Sequence, residues 1–293
     1  MKRINLGFCG NNLRIMELSE TGEISRLEEV TLSFNLENDR LLKKNKKEYL
    51  EEFSEMMHDI TDASLEPIEA NILIDTGLAF LNIIPVDFSE KNSNINSHIL
   101  RDLSNYFPDS QKDFNLKCVR LNHHTVSESI DEVLMIAVSK IKTEFLKSIC
   151  NSCNIIIKKI EIDQFAVEKY IRFKRNPAKA FLIVGFRNNR LDVSLIFKGV
   201  LKYYSFEITE RNNFRLSLLR QLNFFTENFG GLKISDISIY GEEKITELND
   251  FLKECIRSIP GLGINVDLLY DTGIHESKYA PLYGLAVSGE NTA

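Results

Sequence analysis

Two Asp-Thr-Gly triplets stand far apart in the sequence, and their carboxylates suggest hydrolytic chemistry. Asp75 begins the first triplet and Asp271 begins the second, and apolar residues precede both. Two carboxylates brought together by such turns can share a proton and activate a water molecule.

The surroundings of both triplets argue against an aspartic protease, the class of enzyme in which such pairs occur. That fold is almost entirely β and rich in glycine, whereas this chain has only 14 Gly and several stretches with helical periodicity. Leu78 and Ile274 follow the triplets, where Ser or Thr would be expected. Because Asp-Thr-Gly is also favourable turn chemistry, the protease is kept only as a remote alternative.

The sequence predicts no metal site. Cys150 and Cys153 form a C-x-x-C pair at the end of a predicted helix, but no second pair supplies the ligands that zinc needs. His123 and His124 lie in a polar stretch without a spaced set of other ligands. We therefore expect the cysteine pair to be structural.

One hairpin pattern occurs twice, once in each half of the chain. Residues 6–18 and residues 184–196 each contain an apolar strand, an Asn-Asn turn and a second apolar strand. Asn enters left-handed backbone conformations more easily than other non-Gly residues, so Asn-Asn between two β-type runs predicts a tight turn. The repetition predicts a pseudo-duplicated fold with a cleft between its halves.

Length, charge and cysteine content narrow the class of protein. A chain of 293 residues can form two lobes with separate cores. The net charge of −6 argues against nucleic acid as a main partner. The sequence contains no apolar run as long as a membrane span and no signal-peptide core at its start. With five cysteines, an odd number, these features predict a cytoplasmic protein with reduced thiols.

Strands alternate with amphipathic helices in both halves, which predicts an α/β fold. Residues 41–60 place apolar side chains on one helical stripe. Residues 70–85 predict a strand, a turn at Asp75 and a second strand. Residues 214–229 predict a long amphipathic helix, and residues 279–287 predict a closing helix of small residues.

The collinear order of these elements resembles the actin-like ATPase superfamily, in particular its PilM/FtsA-like branch. The two repeated hairpins are similar to its phosphate-binding loops, and residues 70–85 resemble a PilM hairpin that ends in a proline. The resemblance implies a two-lobed actin-like (ribonuclease H-like) fold with duplicated β-hairpin/α units and an inserted small subdomain of the 1C type. It implies a first lobe (1A-like) of residues 1–86 and 154–176, an inserted subdomain of residues 87–153, and a second lobe (2A/2B-like) of residues 177–293.

The residues at the implied nucleotide site depart from the superfamily's pattern. Active members begin each phosphate hairpin with an Asp, and the resemblance places these positions on Gly7 and Gly185. A hard cation such as Mg²⁺ needs a carboxylate, which glycine does not supply. Glu242 and Glu243 stand where the adenosine loop normally has a Gly pair. The vestigial nucleotide cleft is expected at these residues: Gly7, Gly10, Asn11, Asn12, Gly185, Asn188, Asn189, Gly241 and Glu242. We therefore expect no catalytic residue, no cofactor and no ATP hydrolysis.

Two alternatives for the acids of the cleft stay open. In the first, the hairpin alignment is displaced and Asp192 is the acid of the second phosphate loop. In the second, Asp163 or Glu161 supplies the carboxylate. Either would make the protein an active actin-like or FtsA-like ATPase, or a filament former, that uses ATP and Mg²⁺.

The resemblance implies a function in protein binding. PilM-like proteins are cytosolic components of the inner-membrane platform of type IV pili and related type II secretion systems, and they bind the short cytoplasmic tail of a bitopic membrane protein (PilN-like). We therefore expect a bacterial cytoplasmic scaffold, held at the inner membrane through that partner. The binding groove is expected between residues 87–150 and strands from residues 1–40. A pilus or secretion ATPase and a second copy of the chain are further partners that the resemblance allows.

Overall fold

The structure, a computed structural model, describes residues 3–19, 21, 23–61, 67–89, 92–108, 111–121, 130–176, 178–187, 190–209, 213–229, 234–241, 245–258, 265–268 and 277–287. Its strands are β1 (Arg3–Cys9), β2 (Asn12–Leu18), β3 (Ile24–Thr31), β4 (Ile68–Ile74), β5 (Ala79–Asp87), β6 (Phe114–Arg120), β7 (Ile130–Ser139), β8 (Ile155–Ile162), β9 (Ala180–Arg187), β10 (Arg190–Phe197), β11 (Val200–Ile208), β12 (Ile234–Gly241) and β13 (Asn265–Leu268). Its helices are α1 (Asp39–Lys44), α2 (Lys46–Thr61), α3 (Asn92–Tyr106), α4 (Lys140–Ser152), α5 (Asp163–Lys174), α6 (Phe214–Phe229), α7 (Ile245–Ser258) and α8 (Ala280–Val287).

Two five-stranded sheets share one topology. The first has the strand order β3-β2-β1-β4-β8, and the second has the order β11-β10-β9-β12-β13. In the first, β1 pairs antiparallel with β2 and parallel with β4. In the second, β9 pairs antiparallel with β10 and parallel with β12. This duplication confirms the two-lobed α/β fold that the repeated hairpin predicts.

Both faces of the central strands are covered, which explains their long apolar runs. All eight residues of β9 are buried. Phe214 and Leu218 of α6 cover one face of the second sheet, where they pack in one cluster with Val184. Parallel strands buried on both faces read as continuous apolar sequence rather than as an alternating pattern.

Helices α5 and α8 lie against each other between the two large sheets. Val167 of α5 shares an apolar cluster with Phe181 of β9, and Leu282 of α8 shares another with residues of β2 and β4. The two helices approach so closely that a Cβ added at Gly284 would lie 2.0 Å from the carbonyl oxygen of Ala166. The small residues of the predicted closing helix therefore allow close packing on α5.

A third sheet has the order β5-β7-β6. The prediction that residues 70–85 form a hairpin is wrong, because β4 belongs to the first sheet and β5 to this third one. Asp75 accepts a hydrogen bond from the Gly77 backbone nitrogen at 2.6 Å and caps a single 3-10 turn. This turn redirects the chain from one sheet to the next instead of folding it back on the same sheet.

Helix α4 packs mainly on the first lobe, and it also meets the small sheet where Thr143 accepts a hydrogen bond from Asn115 at 2.9 Å. Phe145, Leu146 and Ile149 lie in the same apolar cluster as residues of β1 and α2. From strand pairing and this packing, we propose that the inserted subdomain comprises residues 79–139, and that α4 belongs to the first lobe.

Among the helices in the described parts of the chain, none combines the length and the apolar character needed to cross a membrane.

Candidate functional site

The side chain of Arg187 crosses the cleft between the two lobes. Arg187 ends β9 in the second lobe and is 3% exposed. Its Nη2 donates to Oδ1 of Asp163 at 2.8 Å and to Oγ1 of Thr76 at 2.5 Å, both in the first lobe. Its Nε also forms an ion pair with Asp163 and lies 3.7 Å from Oδ2 of Asp75. The guanidinium therefore joins the lobes at the base of the cleft.

The first lobe holds these acceptors in place through local turns. Asp163 begins α5, where a negative charge is favoured by the helix dipole. Its Oδ1 accepts hydrogen bonds from the backbone nitrogens of Thr76 at 2.9 Å and Gln164 at 2.7 Å. Asp75 accepts from Cys9 Sγ at 3.0 Å through the oxygen that faces Arg187. Contacts within the first lobe thus orient both carboxylates independently of Arg187.

The second lobe surrounds the same guanidinium with two further partners. Arg187 Nη1 donates to the Tyr240 hydroxyl at 2.6 Å, and Nη2 lies 3.3 Å from Oδ2 of Asp192. Asp192 faces Gly185 across the β9–β10 pair and also accepts from Arg190 at 3.0 Å. Asp192 is fully buried, and Arg187, Arg190 and the Tyr204 hydroxyl together supply the partners that a buried carboxylate requires.

A chain of hydrogen bonds continues this network along α5. The Tyr240 hydroxyl donates to Oε1 of Gln164 at 2.6 Å, and Nε2 of Gln164 donates to Oγ of Ser194 at 2.8 Å. Ser194 in turn donates to Oε1 of Glu168 at 2.7 Å. Since Gln164 and Glu168 belong to the first lobe and Tyr240 and Ser194 to the second, the chain fastens the two lobes at several points.

Burial controls the protonation of this network. It raises the pKa of Asp163 to about 7, against the opposing charge of Arg187. It also raises the pKa of Glu168 to about 7. Burial alone would lower the pKa of Arg187, but the charge of Asp163 and its neighbours raises it well above its usual value. Arg187 is therefore a permanent cation, while the carboxyl of Asp163 beside it titrates near neutral pH.

Little space is left between the described residues at the base of the cleft. The cavity that remains measures about 10 Å³, and its lining includes Gly7, Asp75, Arg187 and Gly241. A volume of that size holds about one water molecule, whereas small-molecule sites measure roughly 300–1,000 Å³. In this arrangement the lobes leave no volume for a nucleotide between these residues.

Of the two glycines predicted at the acid positions of the phosphate loops, Gly7 lines this cavity, and Gly185 has no room for a larger residue. A Cβ at Gly185 would lie 2.6 Å from Nη1 of Arg187, 2.7 Å from Gln164 and 2.8 Å from Tyr240. A Cβ at Gly7 would meet Leu282 at 3.2 Å. An acid at position 185 and the present network therefore exclude each other.

The other predicted site residues lie away from this centre or outside the described residues. Gly10 adopts a φ of +58° in the first hairpin turn, and Asn11 and Asn12 bond to the segment of β3 rather than to Arg187: the Asn11 carbonyl accepts from the Leu32 nitrogen at 2.6 Å and Asn12 pairs with Thr31. Asn188, Asn189, Glu242, Glu243 and Asp271 lie outside the described residues.

The alternative acids have different positions. Asp163 and Asp192 both lie in the cleft, as described above. Glu161 does not, because it forms ion pairs with Lys169, with Lys159 at 3.1 Å and with Lys117 at 3.6 Å on the outer side of β8. Although burial opposes it, the ammonium of Lys169 with its two neighbours lowers the pKa of Glu161.

The sequence contains one signal for Arg187, namely a charged residue at the end of an apolar strand. Arg187 and Arg190 flank the second Asn-Asn turn and end two strands that are otherwise buried. A charged residue in a buried strand requires a buried partner. Thr76, Gln164 and Tyr240 carried no comparable signal, since each becomes part of the site only through the packing of the lobes.

A groove also separates the small sheet from the first lobe. This β6–β8 groove has a volume of about 290 Å³ and is lined by residues of β6, β7, α4, β8 and the adjoining chain: Ile74, Asn115, Leu116, Lys117, Ile136, Val138, Thr143, Lys147, Ile160, Glu161, Ile162 and Phe165. No described residue of 1–40 lines this groove, because β8 occupies that edge of the first sheet; the prediction that strands from residues 1–40 form a wall of the binding groove stays a prediction.

Comparison with known proteins identifies the fold. No protein-family model and no curated protein sequence matches the chain. Among solved structures, a chain of the PilM-PilN type IV pilus biogenesis complex matches with a TM-score of 0.68 and 12% identity, over 99% of this chain and 98% of that one. A Bacteroides thetaiotaomicron protein with an actin-like ATPase fold and unknown function matches with a TM-score of 0.58 and 9% identity, over 98% and 95%. The cytoplasmic domain of EpsL, an inner-membrane component of the type II secretion system of Vibrio cholerae, matches with a TM-score of 0.54 and 11% identity, over 100% and 94%. The chain therefore has the actin-like fold that its sequence pattern resembles.

Proposed function

We propose that this protein with an actin-like fold is a PilM-like scaffold of a type IV pilus or type II secretion inner-membrane platform, and that it works without hydrolysing ATP. The observation that carries the second part is Arg187, whose guanidinium fills the base of the cleft and bonds to both lobes. The protein would thus hold its lobes together with an internal cation, and no cofactor would be required.

The likeness to a chain of the PilM-PilN complex and to the EpsL cytoplasmic domain supports the platform assignment. Under this proposal the protein is cytoplasmic and reaches the inner membrane of a bacterium through a bitopic partner. A pilus or secretion ATPase would be a further component of the same platform.

The β6–β8 groove is the proposed site for the partner's cytoplasmic tail. Within the described strands β6 pairs only with β7, and β8 pairs only with β4, so each presents a free edge to the groove. An extended tail can pair with such an edge and place alternate side chains into an apolar floor. Ile136, Val138 and Phe165 supply that floor.

The ion pair at the mouth of the groove does not block the entry of a partner's tail. Lys117 of β6 and Glu161 of β8 face each other at 3.6 Å, and the Lys117 side chain is 61% exposed. Glu161 is only 5% exposed and also pairs with Lys159 and Lys169. A tail can therefore displace the exposed Lys117 side chain while the charge of Glu161 remains compensated.

The experiment has two titrations by calorimetry. The first adds Mg-ATP at millimolar concentration to the purified protein, and we expect no binding heat. The second adds a synthetic peptide with the cytoplasmic tail of a PilN-like bitopic membrane protein from the same genome, and we expect binding.

Asn115→Trp blocks the groove by bulk at an exposed position that lines it, and should abolish tail binding. Glu144→Trp introduces the same bulk at an exposed α4 position outside the groove lining and should bind normally. Mg-ATP binding would contradict the pseudo-ATPase part, and equal binding by both variants would contradict the groove assignment.

An active actin-like ATPase or filament former is the second candidate. It is favoured by the three carboxylates in the cleft, Asp75, Asp163 and Asp192, since Mg²⁺ prefers carboxylate oxygens. It requires Arg187 to leave these acids. Polymerisation that depends on Mg-ATP would establish it.

A further inference from the structure

Helices α1 and α2 carry a dense group of basic side chains on the surface of the first lobe. Five of the ten residues from Asp39 to Glu48 are basic and two are acidic. The five basic residues, each of them exposed, are Arg40, Lys43, Lys44, Lys46 and Lys47. Together with Leu41 they form the α1–α2 patch. These residues line neither the cavity at the base of the cleft nor the β6–β8 groove, so the patch is a separate surface.

The acids of this stretch leave most of the positive charge uncompensated. Asp39 turns inward, where its carboxylate accepts from Ser139 Oγ at 2.6 Å and from Lys142 Nζ. Lys47 lies 3.7 Å from Glu51, but its side chain is 91% exposed, and such a pair is weak. The four other basic residues of the patch form no ion pair with any residue that the structure describes. Their charges are therefore available to a partner.

Part of this arrangement opposes the stability of the two helices. Arg40 and Lys44 are four residues apart in α1, where like charges repel each other. Two lysines begin α2, where the helix dipole disfavours positive charge. The helices are held from their other side, because Leu42 and Tyr49 are buried in the core of the first lobe. An anionic surface outside the protein would relieve the repulsion without disturbing that packing.

Leu41 gives the patch an apolar member and distinguishes between anionic partners. It follows Arg40 in α1 and is 41% exposed. Its backbone nitrogen donates to the Asn38 side chain at 3.1 Å, which fixes its place in the first turn. At a bilayer surface an apolar side chain enters the acyl boundary while neighbouring cations pair with lipid phosphates. Nucleic acid offers phosphates but no apolar layer, and the net charge of −6 disfavours it as a partner.

We propose that the α1–α2 patch binds the surface of an anionic lipid bilayer, with its basic side chains at the lipid phosphates and Leu41 in the interface. Each Lys or Arg near such a surface strengthens binding roughly fivefold. Salt weakens this part of the binding because it screens exposed charges. The contact with lipid is direct, so the proposal does not rest on the platform assignment or on any protein partner.

The test is flotation of the full-length protein with protein-free vesicles. One set contains phosphatidylcholine alone, and the other contains phosphatidylcholine and phosphatidylglycerol in equal amounts. We expect binding only to the second set, and its loss at about 1 M NaCl, where the Debye length is about 3 Å. Lys43→Gln combined with Lys46→Gln should weaken binding about thirtyfold. Lys43→Arg combined with Lys46→Arg keeps both charges and should bind as the unchanged protein does.

Leu41→Ser separates the apolar part of the binding from the electrostatic part. It should weaken binding by the same factor at each salt concentration, whereas the effect of the two Gln substitutions should shrink as salt rises. Lys112→Gln combined with Lys253→Gln is the matched control, since both lysines are exposed and lie before β6 and on α7. The control should bind as the unchanged protein does, and thermal melting verifies that each variant is folded.

Four results would overturn the proposal. The protein does not float with the anionic vesicles, it floats equally with phosphatidylcholine alone, or the control loses as much binding as the Lys43 and Lys46 double variant. The fourth uses a short DNA duplex: if the duplex binds more tightly than the vesicles at the same salt concentration, and Leu41→Ser does not weaken vesicle binding, the patch is a nucleic-acid site instead.

Discussion

Arg187 of the second lobe and Asp163 of the first form a buried ion pair across the cleft, with Nη2 and Oδ1 2.8 Å apart. Both residues are less than 5% exposed. Removing one partner from such a pair leaves an uncompensated charge in a medium of low polarity, which costs far more than the intact pair contributes. Because each partner comes from a different lobe, removing one of them weakens the packing of the two lobes against each other.

Replacing Arg187 with Met should therefore destabilise the protein strongly. The change leaves Asp75, Asp163 and Asp192 without their shared cation, and we expect the free energy of unfolding to fall by about 3–5 kcal/mol. Urea unfolding followed by circular dichroism measures this loss. Arg220→Met is the control, because Arg220 pairs with Glu207 at 2.6 Å but is 61% exposed and should cost less than about 1 kcal/mol. Equal losses in the two variants would show that Arg187 has no special role.

Stability should fall as pH rises towards neutrality, and Glu168 should account for part of the fall. Its pKa is about 7 in the folded protein against an ordinary value of 4.5. Between these values the folded protein holds a proton that the unfolded chain has lost, so the free energy of unfolding decreases with increasing pH. The contribution of the protonated group is complete below pH 4.5 and is lost by about pH 7.

Glu168→Gln removes this titration. The free energy of unfolding of the unchanged protein, minus that of the variant, should fall by about 3 kcal/mol from pH 4.5 to 7.5. Asp163 titrates in the same direction and remains in both proteins, so only the difference is informative. Glu51→Gln, at a position that is 65% exposed on α2, is the surface control for the same substitution. A flat difference for Glu168→Gln would mean that this carboxyl is ionised throughout the range.

A methyl group at position 185 should conflict with Arg187 and with two of its neighbours. A Cβ there lies 2.6 Å from the Arg187 guanidinium, 2.7 Å from Gln164 and 2.8 Å from Tyr240, and overpacking of this kind costs about 1–3 kcal/mol. In Arg187→Ala one of the three contacts is gone and the other two side chains gain space to move, so the added Cβ should cost less and the two substitutions should be non-additive in a double-mutant cycle. Gly7→Ala is the milder comparison, since its Cβ meets only the end of the Leu282 side chain at 3.2 Å. Additive effects of Gly185→Ala and Arg187→Ala would contradict the contact.

The elements of this fold were predictable because their signals are local. The Asn-Asn turns predict the hairpins β1–β2 and β9–β10, and a single apolar stripe predicts α2. The predicted hairpin of β4 with β5 is wrong, because the turn at Asp75 changes the direction of the chain without pairing the two strands. Strand β5 pairs with β7, which follows more than forty residues later in the sequence, and no local pattern encodes that choice.

The sequence predicts only those site residues that belong to a local motif, such as the glycines of the two hairpins. Gly7 and Gly185 predict that these two positions supply no carboxylate, but they reveal neither Arg187 nor Asp192, which lies opposite Gly185 in the second hairpin and faces the cleft. The partners of Arg187 come from β4, α5, β10 and β12, elements that meet only when the lobes pack together. Asp192 illustrates this limit, because its place inside a strand disfavours a role in the cleft, although the register sets it opposite Gly185.

Removing Arg187 should create a site for a divalent cation that the unchanged protein lacks. Asp75, Asp163 and Asp192 all face the guanidinium, and carboxylates without their cation form an environment that Mg²⁺ or Ca²⁺ prefers. A cation that binds only the folded state raises the melting temperature with the logarithm of its concentration. We therefore expect the melting temperature of Arg187→Ala to rise with the concentration of Mg²⁺. Arg187→Gln, whose larger side chain leaves a smaller cavity, should respond in the same direction, while the melting temperature of the unchanged protein should stay constant. Arg187→Ala combined with Asp163→Asn should respond less, because one ligand is lost. If the unchanged protein responds to Mg²⁺ as strongly as the variants do, the cation binds elsewhere, and Arg187 does not take the place of a metal in this cleft.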